Sequence, residues 1–100
     1  MEIILGDKTY NTAGKSKARM FRVAIELSSR MEKGDITPQD LDDLVGFVCD
    51  VYGKQFSVGD VYDGLDSDLL MPTITECIND VVGRVTDKIQ SKNELAAVVK

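Results

Sequence analysis

Ile74, Cys77, Ile78, Val81, Val82, Val85 and Ile89 recur at intervals of three and four residues, the spacing that lays one apolar stripe along an α-helix. Shorter stripes precede it. Met20, Val23, Ala24, Leu27 and Met31 form one between Lys15 and Lys33, widened by Phe21 and Ile25. Leu41, Leu44, Val45, Val48, Val51 and Tyr52 form a second, and Val58, Val61, Tyr62 and Leu65 suit a short third helix. A chain of 100 residues can bury roughly 60–65% of its unfolded surface, so these stripes can make one core without staples.

The helix ends are written beside the stripes. Ile36-Thr37-Pro38-Gln39-Asp40-Leu41 places a cap at Thr37, proline at the first helical position, and a carboxylate at the third, where the helix dipole favours it. Phe56-Ser57-Val58-Gly59-Asp60-Val61 repeats the plan with Ser57 as cap. In both, the apolar residue before the cap can pack on the fourth helical position as a hydrophobic staple. Leu65-Asp66-Ser67-Asp68-Leu69-Leu70 is a third start, but Pro72 lies inside it and would remove a backbone hydrogen bond. The expectation is a turn over 66–70 and a long helix from about Pro72. Gly34 and Gly53 close the first two helices.

Glu2 to Thr12 reads as two short extended pieces around Gly6-Asp7, a small hairpin rich in β-favouring residues. Residues 91–100 have weak periodicity and read as a flexible or helical C-terminal tail. The fold class is therefore mainly α: a small helical domain of about four helices over residues 1–90, with a short N-terminal β-hairpin.

Charge is segregated. Residues 1–33 carry seven Lys/Arg against four Asp/Glu, residues 34–80 one against eleven, and residues 81–100 four against two. An acidic middle between basic ends argues against general nucleic-acid binding, which needs a dominant cationic surface. Lys15, Lys17, Arg19 and Arg22 crowd the start of the first helix, where cations oppose the dipole. They are simply solvated or they face an acidic partner. The longest apolar run, Leu95 to Val99, is too short to span a membrane, and no signal peptide is expected. Two cysteines are too few for a disulfide scaffold, which points to a reducing cytoplasm.

Catalytic and metal chemistry find little support. Between Asp35 and Asp80 there is no histidine, no serine beside a base and no glycine-rich phosphate loop. Cys49 and Cys77 are far apart in sequence, so neither zinc nor a nucleophile is indicated, and Cys77 on its stripe reads as a small buried residue. Asp60, Asp63, Asp66 and Asp68 suggest calcium. With Gly64 as the sixth residue of such a loop, Gly59, Val61 and Leu70 would fall at its first, third and twelfth positions, and none offers the required ligand. No metal or cofactor is expected. Asp66-Ser67-Asp68-Leu69 faintly resembles the serine site of acyl carrier proteins, with Asp68 where that family has leucine, so modification at Ser67 is the alternative reading.

Three phrases carry a stronger likeness: Asp40-Leu41-Asp42-Asp43-Leu44-Val45-Gly46-Phe47-Val48, Tyr52-Gly53-Lys54-Gln55-Phe56-Ser57, and Asp63-Gly64-Leu65-Asp66-Ser67-Asp68 with Met71-Pro72-Thr73. Over residues 36–83 the chain resembles the tail assembly chaperones of long-tailed phages (siphophages) infecting Gram-positive bacteria. The resemblance implies a non-enzymatic protein of the host cytoplasm, absent from the mature virion. Such a protein binds the tape measure protein and recruits the tail tube protein, the latter through a longer frameshifted form. A self-associating chaperone would use the basic first helix against the acidic middle of the next copy. Partner contacts are then expected at Arg19 and Arg22 on the rim. Exposed positions among Phe47, Phe56, Tyr62 and Leu70 would supply the apolar centre.

Overall fold

The computed structural model describes residues 1–12 and 16–93, with side-chain environments as far as residue 83. Expectations for Lys15, for the side chains of Val85 and Ile89, and for the tail beyond Asn93 lie outside the described residues. Two strands, β1 (Glu2–Leu5) and β2 (Lys8–Asn11), precede four helices: α1 (Ala18–Glu32), α2 (Pro38–Val51), α3 (Val58–Gly64) and α4 (Ser67–Asn93).

The apolar stripes meet. Helices α1, α2 and α4 pack against one another in all three pairings, and the short α3 sits between α2 and β1. The shared core is built from Ala24 and Leu27 of α1, Leu44, Val45, Val48 and Tyr52 of α2 and its end, Val61 of α3, and Ile74, Cys77, Ile78 and Val81 of α4. Full burial of one large aliphatic side chain contributes about 2 kcal/mol against the entropy of ordering the chain. Ile25, read as widening the α1 stripe, is instead 51% exposed. One residue beyond Ala24 turns about 100° round the helix, away from α2 and α4.

Both capping boxes form. The Thr37 hydroxyl accepts from the Asp40 amide at 3.0 Å while the Asp40 carboxylate accepts from the Thr37 amide at 3.1 Å. Ser57 and Asp60 do the same at 3.1 and 3.0 Å. Pairing of their carboxylates with cap amides lowers the pKa of Asp40 and Asp60. By contrast α1 starts at Lys17 with no side-chain cap and no acidic residue in its first turn.

The start of α4 departs from expectation. The helix runs from Ser67 straight through Pro72, with no separate turn over 66–70. Asp66 accepts from the Leu69 amide at 3.0 Å, closing the first turn. The proline deprives only the Asp68 carbonyl of its usual donor, and Asp68 is exposed near the helix start, where water can replace it. Leu70 and Met71 pack on the core, and that burial outweighs one lost hydrogen bond.

The hairpin pairs Glu2 with Asn11, Ile3 with Tyr10, Ile4 with Thr9 and Leu5 with Lys8. Gly6 has φ +65, and glycine with positive φ at the first turn position suits a two-residue hairpin. The pleat sends Ile3 and Leu5 into the core and leaves Ile4 56% exposed. Gln55 fastens the hairpin to the end of α2, donating to the carbonyls of Asn11 and Tyr52 at 2.7 Å each. Tyr10 meets Phe56 edge-on, ring centroids 4.9 Å apart.

Candidate partner-binding groove

Along α2, Asp42, Gly46 and Asp50 follow one another at four-residue intervals, one above the next on the helix surface. They line an open groove of about 510 Å³, walled on one side by Val23, Glu26, Leu27 and Arg30 of α1. The other wall is Lys54, Ser57 and Val58, where α2 turns into α3. Phe47 closes the bottom. The groove therefore has an apolar floor, a carboxylate-rich border and the length of a few helical turns.

Its charges are partly engaged. Arg30 donates to Asp43 at 2.6 Å, to Glu26 at 2.9 Å and to Asp40 at 3.3 Å, fastening the end of α1 to the start of α2. The guanidinium holds the Asp43 carboxyl below its ordinary pKa, and the carboxylates raise that of Arg30. Asp42 accepts from the Tyr62 hydroxyl at 2.6 Å, linking α2 to α3. Partial burial, then that bond to a carboxylate, push the Tyr62 phenol up to about 12. With Arg30 shared among three carboxylates and Lys54 the other cation of the lining, the groove is net negative.

Two residues of the lining break local backbone rules. Gly46 lies in the interior of α2, where glycine costs about 1 kcal/mol relative to alanine, yet a Cβ there would meet nothing within 4 Å. Lys54 has φ +59, in the left-handed region that disfavours side chains. Its amide donates to the Cys49 carbonyl at 2.8 Å, closing the end of α2 with Gly53 at φ +70.

The residues named from sequence separate here. Arg19 and Arg22 are exposed on the first turns of α1. Tyr62 is 39% exposed and Leu70 is half-buried. Phe47 and Phe56 are core residues, 2% and 6% exposed, so Phe47 meets the groove only at its floor and Phe56 is engaged with Tyr10 and Tyr52. Gly46, Asp42, Asp50 and Val58 also line the groove, and the sequence does not single them out as partner contacts. The signal for Gly46 is a glycine inside a strong helical pattern, where it costs about 1 kcal/mol relative to alanine.

Cys49 and Cys77 are free and buried. Burial first, then nearby acidic side chains, raise both thiols, Cys77 to about 12, so neither is poised as a nucleophile at neutral pH. Among the described residues no group of three acidic, cysteine or histidine side chains could hold a metal ion, and no helix is long and apolar enough to cross a membrane. Ser67 is exposed at the first position of α4 with Asp68 beside it.

Compared with known families, residues 2–97 match the one described as phage tail chaperone protein. No curated protein and no solved structure matches the chain.

Proposed function

The chain belongs to the phage tail chaperone family, and on that premise we propose that it holds the tape measure protein during tail assembly by seating a helical segment in the α1–α2 groove. The observation that carries this reading is the groove itself, an open channel with an apolar floor and a net negative border. A long amphipathic rod exposes an apolar stripe that must be covered before the tube encloses it, and helix-in-groove docking covers such a stripe. The role is non-catalytic and is exercised in the cytoplasm of a Gram-positive host, with the chaperone leaving before the virion is complete. Recruitment of the tail tube protein falls to a longer frameshifted form. Copies self-associate along the rod, coupling many weak contacts through a high effective concentration.

The test is co-expression with the tape measure protein encoded alongside. That partner stays soluble and co-purifies with the chaperone if the reading holds. Failure of every tape measure fragment to bind would sink it. A tail tube gene upstream and a long coiled-coil gene downstream would supply independent support.

A further inference from the structure

We propose that Gly46 is a helix-crossing point, at which a basic helix of the tape measure partner approaches the backbone of α2 with a small residue opposite Gly46 and a Lys or Arg about one turn to either side. This deepens the preceding reading and rests on it.

The isolated fold does not need glycine at position 46. Gly64 shows what an internally required glycine looks like, because a Cβ there would come within 3.0 Å of Leu5 Cβ. At Gly46 the same construction meets open space within the groove. Gly83 on α4 also has open space, but it is not among the residues lining this groove. Helix axes lie about 8–10 Å apart, and the near end of that range needs small residues at the contact.

The charge pattern names the occupant. Asp42 and Asp50 flank Gly46 by four residues each way, about 6 Å along the axis on either side. A helix crossing at Gly46 brings its neighbouring turns over these carboxylates, where cations complement the charge and acidic residues would bury like charges together. Lys54, held at φ +59 on the facing wall, adds a second locally unfavourable choice on the same lining.

The experiment uses the full chain and overlapping peptides tiling the tape measure protein, alongside Gly46→Ala, Gly46→Gln and the pair Asp42→Asn with Asp50→Asn. Wild type binds peptides with an excess of Lys and Arg around a Gly, Ala or Ser at helical spacing. Gly46→Ala raises the unfolding midpoint, since alanine narrows the unfolded ensemble and its Cβ meets nothing within 4 Å, yet weakens peptide binding. Gly46→Gln weakens binding by at least about tenfold, and the double Asn variant binds more weakly with a flatter salt dependence. Undiminished binding by Gly46→Gln overturns the crossing point while leaving the chaperone reading intact. A lowered midpoint for Gly46→Ala shows an internal need for glycine and likewise overturns it. Loss of self-association with intact peptide binding assigns the groove to a second copy instead, and no peptide binding by wild type overturns both readings.

Discussion

The amide of Gly6, at the hairpin turn, donates a 2.9 Å hydrogen bond to the carbonyl of Gly64 in the last turn of α3. A helix end leaves such carbonyls without partners, and here the turn of a distant element supplies one. The approach is so close that a Cβ on Gly64 would lie 3.0 Å from Leu5 Cβ and 3.2 Å from the Leu5 backbone. Backbone cannot step aside as a flexible side chain does, so Gly64→Ala should cost about 1–3 kcal/mol, as overpacking commonly does. Urea unfolding measures the loss. Hydrogen exchange at the Gly6 amide should quicken in the variant more than at Leu44 in α2, because the hairpin lifts away first.

Tyr52 tests a different cost. It is fully buried, its ring 5.4 Å from that of Phe56, and its hydroxyl has no hydrogen-bond partner among the described residues. Burial, chiefly, drives its pKa upward. An unsatisfied buried hydroxyl costs about 1–3 kcal/mol, and phenylalanine removes it while keeping the ring. Tyr52→Phe should therefore leave the unfolding free energy unchanged or raise it. A clear loss of stability in chemical denaturation would show that the hydroxyl has a partner, such as an ordered water.

Stability should fall at both ends of the pH range. The depressed carboxyls of Asp40, Asp43 and Asp60 contribute stability fully present above their unfolded pKa, near 3.8, and lost as pH falls through the folded values. The Cys77 thiol and Tyr62 phenol move the other way, both pushed up to about 12 from 9.0 and 10.0. They ionise first in the unfolded chain, so stability declines as pH rises above about 9. Thermal unfolding across pH should show a plateau between these limits. An optimum below pH 4 would contradict the assignment.

Arg19 and Arg22 are exposed beside an uncapped helix start with no acidic residue in its first turn. Reversing both to Glu should help the monomer by about 0.3–1 kcal/mol per charge through the helix dipole. The same change should weaken self-association against the acidic residues of another copy. Light scattering on the wild type should show a concentration-dependent oligomer that weakens, without vanishing, as salt screens rim charges over about 8 Å. A strict monomer at high concentration and low salt argues against unaided self-assembly.

The segment from Gly53 to Gly64, which spans parts of two of the family-like phrases, is mostly architecture. Gly53 ends α2 with positive φ, Gln55 ties the hairpin to that end, Phe56 fills the core, Ser57 caps α3 and Gly64 admits the hairpin. The caps at Thr37 and Ser57 and the stripes of α2 and α4 were legible because each depends on neighbours within one or two helical turns. Ile25, by contrast, fits its stripe by spacing and still faces solvent, since the width of a buried face depends on what lies across from it.

The sequence by itself therefore determined a mainly helical chain, its hairpin, its capped starts and its charge segregation, all set by interactions within a few residues. Only the tertiary structure decided that α4 continues through Pro72, because the compensating burial of Leu70 and Met71 comes from packing. It also decided that Phe47 and Phe56 are interior and that Val23, Gly46 and Val58 line a common groove. These residues lie far apart in the chain, and spacing within one helix carries no information about which face of another will come to lie beside it.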